Sequence, residues 1–235
     1  VSVRANSSPC GSVKVRLGEA TAHLRASGAL WFEDEGCLIV ADLHFEKGSA
    51  FAVRGQMLPP YDTRETLRRL SAEVQALAPR LLVFLGDSFH DRAAETRLSA
   101  DDAGVLTGLA LGRTLVWVVG NHDADGPRRL PGDIIDQGEI AGIALRHEPT
   151  PGAGMREAAG HLHPCARVMG RGASVRRRCF VTDGERIVLP AFGAYAGGLN
   201  VRDVAFAGLF AIPPLAVALG ASRAHPVAWP KIGPD

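Results

Sequence analysis

The sequence predicts an α/β sandwich, two β-sheets packed face to face with helices on the outside. Three apolar runs carry much of that reading: "CLIVADLHF", "LLVFLGDSF" and "LVWVVGNHD" each lead four to six mostly branched residues straight into a polar cluster. Strands buried on both faces look like this. Helical periodicity fills the gaps between the three runs, and short strand-like runs with turn signals stand on either side of them.

In chain order, residues 1–12 read as a disordered N-terminus and 13–235 as a single domain. "SVKVRLG", "TAHLRA" and "ALWFEDEG" read as strands. After the first polar run comes "YDTRETLRRLSAEVQAL", where Leu67, Leu70, Val74 and Leu77 recur at helical spacing, with Asp62 and Glu65 placed as a capping box. A second helix begins at Ser99, which caps a first turn containing Asp101 and Asp102. Further on, "IALRHEP", "AAGHLHP", "RRRCFVTDGERIVLP" and "LNVRDVAF" read as strands, with Asp183-Gly184 as a hairpin turn. "EPTPGAGM" reads as a loop.

Composition narrows the class. A chain of 235 residues that is 46% hydrophobic and 22% charged can bury one sizeable core. Its net charge of +1 excludes no anionic partner, because a local stripe can act where the total does not. Cys10, Cys37, Cys165 and Cys179 lack C-x-x-C spacing and read as free, reduced and cytosolic. The N-terminal stretch has no apolar signal-peptide core, and the run from Val204 to Gly220 is broken by Pro213 and Pro214. That run falls short of the roughly 20 residues of a membrane span. A cytoplasmic protein without membrane contact is expected.

The polar clusters at the strand ends hold the chemistry. Asp42 and His44, then Asp87, then Asn121 and His122 follow the three apolar runs, and His147, His161 and His163 come later. Residues i and i+2 of an extended chain face one way, so Asp42 with His44, and His161 with His163, form matched pairs. Carboxylate, amide oxygen and imidazole suit a borderline-hard divalent ion such as Mn²⁺, Fe²⁺ or Zn²⁺, and the lack of a thiolate argues against a structural zinc site. The number of candidate ligands suits two ions sharing one carboxylate better than one ion.

These motifs resemble the binuclear metallophosphoesterases, the calcineurin-like phosphoesterase superfamily, whose pattern is D-x-H, G-D, G-N-H-[DE], H and G-H-x-H. Here they stand as "DLH" at 42–44, "GD" at 86–87, "GNHD" at 120–123, His147 and "GHLH" at 160–163. The resemblance implies a β-sandwich of two mixed sheets flanked by helices, with a dimetal site at the strand carboxyl ends. It implies two ions, Mn²⁺ first among them. One would be held by Asp42, His44, Asp87 and His163, the other by Asp87, Asn121, His147 and His161. It further implies that His122 is no ligand but meets the phosphoryl or leaving oxygen, with Asp123 holding it in orientation.

"DLHFEKGSAFAVRGQMLPPYDTRETLRRL" and "LPAFGAYAGGLNV" are similar to segments of the bacterial ligase-associated DNA-damage-response endonucleases. That similarity implies DNA as substrate and association with a DNA ligase and helicase, and it leaves a homo-oligomer open. His90 in "GDSFHD" stands where repair nucleases of the superfamily have a histidine, and reads either as a catalytic contributor or as a surface histidine capped by Asp91.

Lys47, beside Glu46, reads either as lining the site or as part of an ordinary surface ion pair. Arg128 and Arg129 are candidates for phosphate contact. Arg167, Arg171, Arg176, Arg177 and Arg178 form a solvated strand edge or a track for a nucleic-acid backbone, with Arg177 facing away from its neighbours. The leading functional expectation is a metal-dependent DNA endonuclease. The alternatives are a small-molecule phosphodiesterase or phosphatase, and a non-catalytic metal-holding module.

Overall fold

The computed structural model describes residues 3–170 and 172–235; Val1, Ser2 and the candidate Arg171 lie outside the described residues. The first of its two sheets runs in chain order through β1 (Ala5–Ser7), β2 (Val13–Leu17), β3 (Ala20–Leu24), β4 (Leu30–Phe32), β5 (Cys37–Ala41), β6 (Leu81–Leu85), β7 (Thr114–Val118) and β8 (Asp133–Ile135). Neighbours are antiparallel as far as β5 and parallel from β5 to β8.

The change follows from the connections. Short turns join β1 to β5, whereas α1 (Lys47–Val53) and α2 (Asp62–Leu77) separate β5 from β6, and α3 (Ala94–Arg97) and α4 (Ala100–Ala110) separate β6 from β7. Connections of that length permit parallel pairing. Ala41 pairs with Leu85 and Leu85 with Val118, so the next residues of all three strands leave the sheet at one edge.

The second sheet contains β9 (Gly138–Ile140), β10 (Ile143–Arg146), β11 (Glu157–Ala159), β12 (Cys165–Met169), β13 (Ser174–Thr182), β14 (Arg186–Val188), β15 (Leu215–Leu219), β16 (Ala224–Val227) and β17 (Ile232–Gly233). Its order is β16-β15-β13-β14-β11-β10-β9, with β12 between β13 and β17. β10, β11 and β14 run parallel, with Arg146 beside Ala159 and Ala159 beside Val188. This places the residues after β10 and β11 at a common edge too. A bridge between Ala41 and Ala191 ties the two edges together.

Alternation explains the layers. In β5, Cys37, Ile39 and Ala41 enter the core between the sheets, against residues such as Phe180, Ile187 and Val217. Leu38 and Val40 face Leu67, Leu70 and Val74 of α2 and Leu106 and Leu109 of α4. A strand buried on both faces needs the continuous apolar run that the sequence shows. The outer face of the second sheet is covered without an α-helix, by Val201, Phe206, Leu209 and Ile232.

Local chemistry overrides some of the sequence expectations. Within the stretch expected to be disordered over 1–12, Ala5–Ser7 pairs with Val13–Val15. α2 occupies the expected residues, but Tyr61 is its N-cap and makes no side-chain cap. Asp62 instead turns inward, where its Oδ2 accepts from the Gly48 N–H at 2.9 Å, and Glu65 pairs with Arg68. Ser99 caps α4 as read, accepting from the Asp102 N–H at 3.1 Å.

"LNVRDVAF" is not a strand: Asp203 caps a 3-10 turn over Val204–Phe206 by accepting from the Ala205 N–H at 2.9 Å. All four cysteines are free, and only Cys10 is exposed. Among the described residues no helix is long and apolar enough to cross a membrane.

Candidate metal centre

The common edge gathers side chains from five segments. Asp42, His44 and His163 form one group, and Asp87, His147 and His161 another, with ligand atoms of each group within 4.8 Å of one another. His44 Nε2 and His163 Nε2 are 3.3 Å apart, and His163 Nε2 lies 3.3 Å from Asp42 Oδ1. In the second group His147 Nε2 is 3.4 Å from Asp87 Oδ2 and 3.1 Å from His161 Nδ1. Asn121 Oδ1 joins it, 2.8 Å from His147 Nε2 and 3.1 Å from His161 Nδ1.

The backbone that delivers these groups is unusual. Asp42, His44, Asp87, His161 and His163 all have φ between 44° and 67°, a left-handed conformation that L-residues seldom adopt. These segments are therefore not the extended chain expected from the i, i+2 spacing. His161 and His163 do not form a one-sided pair but serve different groups. Each of the three G-motifs has a steric cause: a Cβ on Gly86 would strike the His147 ring, one on Gly120 would strike Asp87, and one on Gly160 would come within 2.5 Å of Asp42 Oδ2.

Electrostatics tests whether cations fit here. Asp42 is 0% exposed and Asp87 2% exposed, and among the described residues neither carboxylate has a lysine or arginine partner. Their ion-pair neighbours are histidines alone. Burial first, then the neighbouring His163, His122 and His90 and Lys47, push His44 down to about 2, so it supplies no compensating charge near neutral pH. Buried carboxylates without compensating charge are costly. Nitrogen and oxygen donors converging on two such carboxylates fit divalent cations. His44 Nδ1 and His147 Nδ1, buried and without hydrogen-bond partners, mark a polar lining not satisfied by protein alone.

His122 lies beside both groups. Its N–H donates to Asp87 Oδ1 at 2.9 Å, its Nδ1 donates to the His90 carbonyl at 2.7 Å, and its Nε2 stands 3.9 Å from Asp87 Oδ2. Asp123 does not hold the His122 ring. Its Oδ1 accepts from the Gly120 N–H and its Oδ2 from the Phe89 N–H, because the carboxylate is folded under the turn while the ring points away. Burial raises the Asp123 carboxyl above its usual range.

The His90 ring stacks on that of His122 with centroids 5.5 Å apart and meets His44 edge-on. Burial lowers its pKa. His90, His44 and His122 form a third compact group. Asp91 caps nothing on His90; it pairs with Arg97.

Lys47 reaches across to the Tyr195 carbonyl at 3.1 Å and forms no pair with Glu46, whose carboxylate accepts from the Ser49 and Thr63 hydroxyls. Arg128 and Arg129 stay outside the centre. Their backbone N–H groups donate to Glu95, and they line a separate cleft with Arg92 and Asp91. Sequence reasoning gave no role to Phe192 and Gly193, whose N–H groups donate to the carbonyls of Ala41 and Asp42 and fix the first ligand loop from behind. Their only signal was the family-like run "LPAFGAYAGGLNV", to which no residue role was attached.

Comparison with protein-family models and with curated proteins gives no match. Among solved structures, the Pseudomonas putida nuclease MPE superposes with a TM-score of 0.71 and 27% identity, over 92% of this chain and 100% of that one. That similarity, with the paired carboxylate–histidine groups, supports a hydrolytic phosphoesterase of the metallophosphoesterase type. YfcE, a phosphoesterase from E. coli, aligns with a TM-score of 0.40 and 14% identity over 82% of this chain and 98% of that one. His122 stands beside the paired groups, its ring 5.2 Å from that of His44, and Asn121 is exposed. Such a site can receive a phosphate ester from solvent.

Proposed function

We propose that this metallophosphoesterase is a phosphodiesterase that cuts DNA internally. The observation that carries the reading is the pair of adjoining carboxylate–histidine groups with His122 beside them. The fold-wide similarity to a nuclease supports the choice of polymer.

Asp42, His44 and His163 would hold one cation, and Asn121, His147 and His161 the other, with Asp87 available to both. Mn²⁺ heads the candidates, ahead of Fe²⁺ and Zn²⁺. Ions bound there would supply Lewis-acid charge to a phosphoryl group and lower the pKa of a bound water. His122 does the proton work. Its Nδ1–H is tied to the His90 carbonyl, so only Nε2 remains to meet substrate. As an imidazolium, it donates from Nε2 to a phosphoryl or leaving oxygen. The His90 carbonyl and ring position it.

The sequence similarity further supports a repair setting alongside a DNA ligase and helicase, and the free cysteines support a cytoplasmic one. End-labelled single-stranded, duplex and hairpin DNA, incubated with protein and Mn²⁺, should be cut internally. EDTA and Asp87→Asn should each abolish the cuts. Hydrolysis of bis(p-nitrophenyl) phosphate without DNA cleavage would move the assignment to a small-molecule phosphodiesterase. Activity that survives both EDTA and Asp87→Asn would overturn the metal reading.

A further inference from the structure

A second feature lies behind the metal centre. A groove of about 800 Å³ is lined by Arg25, Arg68, Arg69, Arg176, Arg177 and Arg178, with Glu73 the one carboxylate among its lining residues. The chain as a whole has a net charge of only +1, so this concentration is local. Three acids answer the six arginines: Glu73 pairs with Arg25 at 2.8 Å, Asp235 with Arg176 at 3.1 Å, and Glu65 is divided between Arg68 and Arg69. Among the described residues Arg177 and Arg178 have no carboxylate partner. Burial, then the Arg178 charge, pulls Arg69 down to about 10, with Glu65 acting in the opposite direction.

The groove shares a wall with the metal centre. On one side Arg178 Nη1 donates to the carbonyls of Ala191 and Gly193, Arg69 donates to the Phe192 carbonyl, and Arg176 donates to the Gly198 carbonyl. On the other side Phe192 and Gly193 donate to Ala41 and Asp42, and Lys47 donates to Tyr195. The segment 191–198 therefore separates a metal centre from an arginine groove by the thickness of one chain.

We propose that this groove binds the phosphodiester backbone of a DNA segment flanking the bond being cut, so that the strand crosses the 191–198 wall. The inference rests on the DNA reading above. Guanidiniums recognise phosphate oxygens without reading sequence, and the groove's low aromatic content leaves backbone contact as its mode.

The test uses the full chain. Cys10 lines the groove and is the one exposed cysteine, so its alkylation rate reports occupancy. Saturating 30-nucleotide single-stranded DNA, added in EDTA to prevent cleavage, should slow Cys10 alkylation at least fivefold. The Arg68→Ala/Arg177→Ala variant should raise the KM for DNA about tenfold or more. Each lost single-strand phosphate contact should flatten the log–log salt dependence by about 0.7, so two should flatten it by about 1.4.

Arg68→Lys/Arg177→Lys should recover most of both effects. Lys14→Ala/Arg16→Ala, which removes two exposed charges from β2 outside the groove, should leave both KM and salt dependence nearly unchanged. Unchanged alkylation with DNA bound, or equal losses in the groove and β2 variants, would overturn the inference and leave the nuclease reading intact. Wild-type protein that hydrolyses bis(p-nitrophenyl) phosphate but neither binds nor cuts DNA overturns both.

Discussion

His122 leans on a carbonyl that no side-chain substitution removes. The His90 carbonyl fixes its Nδ1, while the His90 ring only stacks beside it. His122→Ala should lower kcat for phosphodiester hydrolysis by about 10²–10⁴, the range of a lost acid–base group. His90→Ala should cost markedly less in the same assay; equal losses would show that the ring itself acts on substrate. Asp123 belongs to a different category. It satisfies two buried N–H groups, and leaving them unpartnered in Asp123→Ala should destabilise folding by about 1–3 kcal/mol per group, read by urea unfolding.

His44 carries a pH signature at the same scale. In an unfolded chain its imidazole takes a proton near the ordinary value of about 6.5. In the metal-free folded protein it resists protonation until about 2. Between those limits the unfolded state binds more protons, so stability falls as pH drops through the window and is retained above it. Chelator-treated protein should show a urea midpoint that declines from pH 7 to pH 5, and His44→Gln should flatten that decline. A midpoint that rises on acidification would contradict the assignment.

At the scale of elements, the ligand loops depend on small residues at their entrances. Gly86 has φ 74° and lies against the His147 ring, so alanine there meets both backbone strain and a clash. Strain of this kind costs about 1–3 kcal/mol. Gly86→Ala should weaken Mn²⁺ binding at least tenfold by calorimetry, with the far-ultraviolet circular dichroism preserved.

The strands leading into these loops were legible because burial on both faces writes an unbroken apolar run, as in "CLIVA" and "LLVFL". Helix α2 was legible from Leu67, Leu70 and Val74, all buried in the structure. α1 was not, since "KGSAFAV" is one short turn pair containing glycine, held by Asp62 from another helix. Arginine-rich β13 was visible only in part, because Ser174–Arg177 are exposed and lack the alternation that marks a half-buried strand.

For the molecule as a whole, stability comes from the layer between the sheets. Phe180 is fully buried there, and Phe180→Ala should destabilise by about 3–5 kcal/mol with one cooperative unfolding transition. Separate transitions for the two halves of the chain would show that the sheets fold independently. Motif order made the centre's donors readable in sequence, since each donor follows a strand and strand ends converge. The division of labour among them was hidden. Whether Asp123 faces His122 or the turn beneath it depends on a side-chain direction that spacing does not encode, and the shared wall at 191–198 arises only when two sheets meet.

The left-handed residues of the centre set stability and activity against each other. At 42 or 87 glycine would leave the His161 or His122 N–H without its acceptor, but at 44, 161 or 163 it would relax the backbone. Selection of variants for heat resistance alone would therefore drift toward glycine at the latter positions, and each step that made the protein hardier would delete a donor from its centre.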